Sequence, residues 1–179
     1  VIGRGQLVDP DFCNKAEAGK TEEIDYCVGC NQGCYDGFES KDSPCITCLR
    51  NPAVGREKEC ELIPAEKPEK VLIAGGGIGG LEAAIILKKR GHNPILCEAT
   101  DTLGGQFLTA GEAPRKAEMK AAVLSMAEKA KRLGVDIRMN TKVTPEMIAD
   151  IKPHTFINAI GAAPIVPPIP GNDKAFVVD

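Results

Sequence analysis

The sequence predicts an α/β protein: a Rossmann-like parallel sheet of the FAD/NAD(P)-binding type, incomplete, preceded by an irregular cysteine-rich segment. Beyond residue 70, short apolar runs alternate with helical stretches, which is typical of a parallel sheet covered by helices on both faces. Seven of the eight cysteines lie within the first 60 of the 179 residues. We therefore predict three parts, at residues 1–25, 26–69 and 70–179.

The regular part begins after a connection at residues 62–69, where two prolines and alternating charges indicate an extended linker. The apolar run 71–74 ends in glycines and predicts a buried parallel strand. A helix is predicted over residues 81–90, with Gly91 ending it. A second short strand follows at residues 95–97.

The second half continues the alternation of strands and helices. Apolar residues recur every three or four positions over residues 115–133, which predicts a long helix that Gly134 ends. A third strand is predicted at 135–139. Thr144 followed by proline predicts the start of a short helix, because proline fits the first helical position. The last predicted strand covers residues 155–160.

A glycine-rich turn with the pattern GxGxxG connects the first strand to the first helix. Gly75 permits a tight turn, Gly77 lets a pyrophosphate approach the backbone, and Gly80 lets helix and strand pack closely. The phosphates then lie at the helix N-terminus, where free N–H groups favour anions. Glu98, 18 residues after Gly80, ends the second strand and is the expected partner of a ribose hydroxyl. The pattern predicts a dinucleotide site for FAD or NAD.

The cysteines form two groups, C-x2-C-x3-C at residues 27–34 and C-x2-C at 45–48. Clustering of this kind indicates a metal site in a reducing compartment, so we expect a cytoplasmic protein. Two interpretations remain open. Zinc would take the first two and last two cysteines, in a spacing close to that of a zinc ribbon. A [4Fe–4S] cluster would take the first three and one later cysteine.

Composition argues against several classes of function. The formal net charge of −3 gives no basic patch for nucleic acid, and no apolar run is long enough to span a bilayer. We find no catalytic acid, base or nucleophile. His92 follows a helix-ending glycine and His154 stands at a strand start, so both are expected to be structural.

The sequence resembles part of the NADH:flavin oxidoreductase family, which includes 2-enoate reductases, 2,4-dienoyl-CoA reductase and trimethylamine dehydrogenase. The matching segments are Gly3-Arg4, the cysteine motif at 27–34, the C-x-x-N-P motif at 48–52, the strand–turn–helix–strand unit at 71–98, and the I-P-G segment at 169–171. Two departures from the family pattern stand out. The loop between Cys34 and Cys48 is longer than in many members, and Ile160 replaces a common threonine.

The resemblance implies cofactors and their ligands. Residues 1–25 would be the end of a TIM barrel, in which Arg4 contacts FMN phosphate. A [4Fe–4S] cluster would be bound by Cys27, Cys30, Cys34 and Cys48, with zinc as the alternative metal. FAD would be contacted by Gly75, Gly76, Gly77, Ile78, Gly79, Gly80, Glu98, Ala99, Gly105, Gln106, Val143, Ala159 and Gly161.

The resemblance also implies a function. In the parent enzyme, electrons would pass from NADH to FAD, through the cluster, and to an FMN that is absent from this chain, where an activated C=C bond is reduced. We expect the chain to be a fragment that needs the FMN and NADH domains as partners and is inactive alone. The alternative is a non-catalytic, zinc-stapled dinucleotide-binding module. An incomplete sheet exposes an edge, which favours self-association.

Overall fold

A computed structural model describes residues 2–42, 45–163, 165 and 167–175 of the chain. Residues 176–179, where the family resemblance implies the start of a further nucleotide-binding domain, lie outside this part. In the described part, no helix is both long enough and apolar enough to cross a membrane.

The first 69 residues are mostly irregular and contain a few short helices that the sequence did not predict. They hold α1 (Arg4–Val8), α2 (Phe12–Glu17), a 3-10 turn (Thr21–Glu23) and α3 (Tyr35–Glu39). None of these helices exceeds six residues. Helices this short depend on tertiary contacts for their stability and leave no apolar periodicity in the sequence.

Four parallel strands form the sheet, which confirms the predicted fold class. They are β1 (Lys70–Ala74), β2 (Asn93–Cys97), β3 (Asp136–Arg138) and β4 (Thr155–Asn158), in the spatial order β3-β2-β1-β4. All three neighbouring pairs are parallel. The last residue of β1, Ala74, is in register with the last residues of β2 and β4, so three strand ends meet at one edge.

Four helices accompany the strands: α4 (Ile78–Lys89), α5 (Gln106–Ala110), α6 (Ala117–Arg132) and α7 (Pro145–Ile151). Helix α4 begins three residues earlier than predicted, inside the glycine motif. Helix α6 begins two residues later than predicted, because Arg115 has a left-handed φ of 63° that a helix cannot contain. The prediction also missed α5.

The predicted helix ends are confirmed. Gly91 and Gly134 follow α4 and α6 with φ of 91° and 73°, values that glycine adopts without strain. The hydroxyl of Thr144 accepts a hydrogen bond from the backbone N–H of Met147, and Pro145 occupies the first position of α7. The linker is held against the end of α4, since the N–H of Ala65 donates to the carbonyl of Arg90 at 2.8 Å.

The main core lies between the sheet and helices α4 and α6. Its fully buried side chains include Ile73, Leu81, Leu96 and Val123. Leu72 and Cys97 are also fully buried but lie outside this cluster. All members of the core cluster fall within residues 71–135. The buried side chains of the first 69 residues, Val8, Ile24 and Val54, do not belong to it. The cysteine-rich segment therefore packs against this core without supplying it.

Candidate dinucleotide and cysteine sites

Two glycines of the GxGxxG turn are required by close backbone contacts. Gly75 has a φ of 105°, and a Cβ there would lie 2.3 Å from the carbonyl oxygen of Ala159. A Cβ on Gly80 would lie 1.9 Å from the carbonyl oxygen of Gly75. Glycine is therefore needed at position 75 for the tight turn and at position 80 for the close packing of helix against strand.

Of the other glycines of the turn, Gly76 is crowded, since a Cβ on it would lie 2.5 Å from Cδ2 of Leu103, whereas Gly77 and Gly79 border open space. A Cβ on Gly77 or Gly79 would meet no atom within 4 Å. Gly77 is also the N-cap of α4, and no side chain caps this end of the helix. A helix N-terminus without a capping side chain leaves N–H donors available to an anion. The turn therefore fits a dinucleotide pyrophosphate, with room for it beside Gly77 and donors from Ile78 onward.

Glu98 is tied to the turn by hydrogen bonds. Its Oε2 accepts from the backbone N–H of Gly76 at 2.7 Å, and its Oε1 accepts from the N–H and hydroxyl of Thr100 at 2.8 and 2.9 Å. Burial alone would raise the pKa of the Glu98 carboxyl, but the bonds from Thr100 and Gly76 outweigh burial and lower it. The carboxylate is therefore ionised at neutral pH, as an acceptor of ribose hydroxyls must be.

The predicted flavin-side residues surround the same turn. The N–H of Gly104 donates to the carbonyl of Gly76 at 2.8 Å, and Gly105 is so close that a Cβ on it would lie 3.2 Å from the Cα of Gly77. Gln106 donates from Nε2 to the carbonyl of Ala162 at 2.8 Å. The sequence predicts these residues at one site, and the fold brings them to the edge where β1, β2 and β4 end.

The remaining predicted contacts lie around this edge. The N–H of Ala159 donates to the carbonyl of Ala74, and Gly161 follows with a φ of 76°. Ala99 is exposed directly after Glu98, and Val143 is half-buried in the segment after β3. Ile160, which replaces the family threonine, is 72% exposed.

Four of the cysteines line one small cavity: Cys27, Cys30, Cys34 and Cys48. Left-handed backbone at Gly29, Asn31 and Gly33 bends the loop around it. The N–H of Gly29 points to the Sγ of Cys27 at 3.4 Å, and the N–H of Thr47 donates to the carbonyl of Gly33 at 3.0 Å, which joins the two cysteine motifs. Within the described ranges, no three Cys, His, Asp or Glu side chains are placed as ligands of a metal ion.

The other cysteines lie elsewhere. Cys45 does not line this cavity; it is exposed and next to Gly55, whose Cβ would lie 2.9 Å from its Sγ. Cys13 is exposed and accepts a hydrogen bond from Gln6. Cys97 is buried at the end of β2, and burial raises the pKa of its thiol. Cys60 lines a larger polar cavity of about 600 Å³ between the cysteine-rich segment and helices α4 and α6.

Arg4 lies beside the cysteine cavity. It begins α1, lines that cavity, and donates from Nη1 to the Oδ1 of Asn31 within the cysteine motif. The phosphate contact predicted for Arg4 stays a prediction. Nδ1 of His92 accepts a hydrogen bond from the N–H of Glu69 at 3.2 Å, and the exposed His154 donates its backbone N–H to the carbonyl of Lys70 at 2.9 Å. That both histidines are structural or solvated stays a prediction.

Charged residues that the sequence did not single out lie between the two sites. Asp25 contacts both Arg50 and Lys129, which is in α6. Burial raises the pKa of the Glu82 carboxyl in α4, although Lys129 and Lys89 partly counter it. No sequence pattern marks these residues, since Asp25 and Lys129 are 104 positions apart. The only signal is that Arg50 and Asp25 each lie two residues from a cysteine of the motif.

An apolar cavity of about 390 Å³ joins the two sites. It is lined from the cysteine side by Leu49 and Arg50, which directly follow Cys48. From the nucleotide side it is lined by Ile78 and Gly79 at the start of α4, together with Phe107, Val123 and Met126. The end of the cysteine motif thus faces the start of the phosphate-binding helix.

Comparison with known proteins shows what this chain is similar to. The family model described as FAD dependent oxidoreductase matches residues 70–154. A bilirubin reductase of Mediterraneibacter gnavus is 38% identical over 99% of this chain and 28% of its own length. A cinnamate reductase of Clostridium sporogenes is 35% identical over 98% of this chain and 26% of its own. The predicted resemblance to flavin oxidoreductases is confirmed.

A solved structure gives the same result in three dimensions. The structure of a 2-naphthoyl-CoA reductase bound to 2-naphthoyl-CoA superposes with a TM-score of 0.90 and 30% sequence identity. The match covers 96% of this chain and 26% of that protein. The chain therefore spans about a quarter of the length of the relatives it matches. It corresponds to one segment of these flavin oxidoreductases, and that segment includes the FAD-type fold.

Proposed function

We propose that this chain is the electron-transfer segment of a longer flavin-dependent reductase of the enoate-reductase kind, and that it holds FAD beside a [4Fe–4S] cluster. One observation carries the proposal: four cysteines line one cavity, and the residues after Cys48 share a second cavity with the glycine turn. This arrangement supports a four-thiol donor set next to a dinucleotide-binding edge. The relatives named as reductases support the same class of reaction.

The chain's residues would hold FAD at the edge where β1, β2 and β4 end. The N-terminus of α4 would bind the pyrophosphate beside Gly77, and the ionised Glu98 would accept from a ribose hydroxyl while its other lone pairs fix the turn. Gly105, Gln106 and Gly161 would border the flavin side. The apolar residues Ile78 and Phe107 line the cavity that faces the cysteine side.

The cluster would be held by Cys27, Cys30, Cys34 and Cys48. Four thiolates are the usual ligand set of such a cluster, and N–H groups near the sulfurs, such as that of Gly29, help to set its potential. FAD exchanges electrons in pairs or singly and the cluster exchanges them singly, which is the chemistry that this segment would supply. The protein itself would bind the two cofactors, set the distance between them and shield them from solvent.

The rest of the reductase would provide the other components. We propose an FMN-containing barrel that includes Arg4 near its end, and an NADH domain, on one longer chain in the cytoplasm. We expect the segment to bind cofactors and to have no reductase activity by itself.

Anaerobic reconstitution of the chain with iron and sulfide, followed by metal analysis and a visible spectrum, tests the proposal. A loaded cluster gives about four irons per chain and a broad band near ~400 nm. An FAD titration followed by flavin fluorescence tests the second site. Stoichiometric zinc without iron, after anaerobic purification, would overturn the cluster and favour a zinc-stapled dinucleotide-binding module. Failure to bind FAD would overturn the dinucleotide site.

A further inference from the structure

Three charged side chains meet between the cysteine cavity and helix α6. Asp25 accepts a hydrogen bond on Oδ1 from Nη2 of Arg50 at 3.1 Å and on Oδ2 from Nζ of Lys129 at 2.6 Å. The side chain of Arg50 is only 8% exposed and that of Asp25 16%. This group is therefore largely withdrawn from water, unlike the exposed ion pair between Lys131 and Glu128 on the same helix.

Arg50 also joins the first and last cysteines of the cavity. It lies two residues after Cys48, and its Nη1 donates at 2.7 Å to the carbonyl of Tyr26, the residue before Cys27. One guanidinium thus makes two bonds, to Tyr26 and to Asp25, from the chain segment that carries Cys48. A planar guanidinium supplies such a pair of directed donors, whereas a lysine ammonium supplies a point charge on a flexible stem.

Lys129 connects this group to the nucleotide-binding part. It projects from α6, whose residues Val123, Ala127 and Ala130 are buried in the main core. Because α6 is anchored in that core, its bond to Asp25 fixes the start of the cysteine motif relative to the sheet. Arg50 lines both the cysteine cavity and the apolar cavity that reaches the start of α4.

We propose that Arg50 is a positioning residue: bound to Asp25 and Tyr26, it sets the spacing of Cys27 and Cys48 and, through Asp25 and Lys129, holds the cysteine cavity against the nucleotide-binding edge. The role in electron transfer rests on the proposed function, whereas the spacing of the two cysteines does not. Removing one partner of a largely buried charge group leaves the others unsatisfied, so loss of Arg50 disturbs the group as a whole.

Arg50 has a second consequence for a loaded cluster. Its positive charge lies at the wall of a cavity lined by four thiols, in a site with little exposure to water. A cation in such a site stabilises the more negative of two redox states, because the local dielectric constant is lower than in water. Loss of the positive charge at position 50 therefore shifts the midpoint potential of the cluster to more negative values. Replacement of the guanidinium by another cation does not.

The variants Arg50→Met, Arg50→Lys and Lys129→Gln, made in the full chain, separate these effects. The control is Lys131→Gln, which removes a lysine of the same helix from an exposed pair. Circular dichroism and melting establish that each variant is folded. If Arg50→Met does not fold, Arg50→Lys carries the test, since it keeps the charge and loses one of the two directed bonds.

The first readout uses the chain without cluster, so it does not depend on the proposed function. Alkylation of Cys27 and Cys48 is followed by mass spectrometry, with the exposed Cys13 as internal reference. Both Arg50 variants are expected to alkylate at Cys27 and Cys48 about fivefold faster than the parent chain, because the group that spaces them is broken. Rates within twofold of the parent chain would overturn the positioning role.

The second readout uses the reconstituted chain and a chelator. Arg50→Met and Arg50→Lys are expected to lose iron about tenfold faster, with the midpoint potential lowered in Arg50→Met and close to that of the parent in Arg50→Lys. Lys129→Gln is expected to keep its iron but to be cleaved faster by protease at residues 62–69. The positioning role would be overturned if both Arg50 variants lost iron at the parental rate. It would also be overturned if Lys131→Gln had the same effects as the Arg50 variants. A parent chain that takes up no iron would overturn the proposed function instead.

Discussion

The Oε2 of Glu98 accepts a hydrogen bond from the backbone N–H of Gly76 at 2.7 Å, so the acid that ends β2 is fastened to the glycine turn that follows β1. The carboxylate expected to bind ribose is therefore also a structural element of the turn. The same carboxylate holds Thr100 through two further bonds. Changes at Glu98 will consequently alter both stability and nucleotide binding.

Glu98→Gln is expected to lower the free energy of unfolding at pH 7 by about 1–2 kcal/mol, because hydrogen bonds to a charged acceptor are replaced by weaker ones. The pKa of Glu98 is lower in the folded protein, so the unfolded chain binds more protons when the pH falls below about 4.5. The stabilisation is thus full above that pH and is lost as the pH falls through the folded pKa. Urea unfolding between pH 3 and 7 should show a shallower pH dependence in the variant. An unchanged slope would contradict the assignment.

Substitution by alanine at two neighbouring glycines, Gly79 and Gly80, should change the free energy of unfolding in opposite directions. Gly80→Ala is expected to lower the free energy of unfolding by about 3 kcal/mol or more, because the new Cβ would lie 1.9 Å from the carbonyl oxygen of Gly75. Gly79→Ala meets open space in the same helix and is expected to raise stability by about 0.5–1 kcal/mol. Thermal or urea unfolding of the two variants measures both effects. Equal destabilisation would show that the helix and strand are not packed as described.

Charge at Gly77 should act on the cofactor and leave the fold intact. A side chain there enters open space beside the N-terminus of α4, where the pyrophosphate is proposed to lie. Gly77→Asp is therefore expected to weaken FAD binding by at least about a hundredfold, because two like charges about 4 Å apart in a partly shielded site repel by several kcal/mol. Gly77→Asn, of equal size but neutral, should weaken binding far less. Titration of each variant with FAD, followed by flavin fluorescence, measures the two affinities. Similar affinities for FAD in Gly77→Asp and Gly77→Asn would contradict a phosphate beside Gly77.

The nucleotide-binding part should fold without the cysteine-rich segment. The core cluster takes no residue from the first 69 positions, and the hydrogen bonds of Ala65 and Glu69 tie the linker to the end of α4 and the start of β2. Removal of residues 1–66 is therefore expected to leave a cooperative thermal transition for residues 67–179. Calorimetry of the truncated and complete chains provides the measurement. Loss of the cooperative transition would mean that the two parts share one core.

The strand and helix order could be predicted because β1 and β2 contain short apolar runs, β1 leads into a glycine turn, and α6 carries a clear periodicity. The predicted start of α4 lies three residues too late because Gly79 and Gly80 are poor helix formers. Glycine is nevertheless found at this helix start because Gly79 borders open space and Gly80 packs closely against Gly75. Helix α5 has only five residues and no periodic signal. The glycine turn and Glu98 were recognisable because their spacing is local. The contact of Asp25 with Lys129 could not be recognised in the sequence, because the two residues are 104 positions apart and meet only when the chain has folded.

The fourth ligand of the cluster can be identified by a matched pair of serine variants. Cys48 lines the cavity with Cys27, Cys30 and Cys34, whereas Cys45 is exposed and lies beside Gly55. Cys48→Ser is therefore expected to reduce iron after anaerobic reconstitution from about four per chain to a labile fraction, because a cluster of this type needs four thiolates. Cys45→Ser should retain the full complement and the same spectrum. Full iron in Cys48→Ser together with loss of iron in Cys45→Ser would assign the fourth ligand to Cys45 instead.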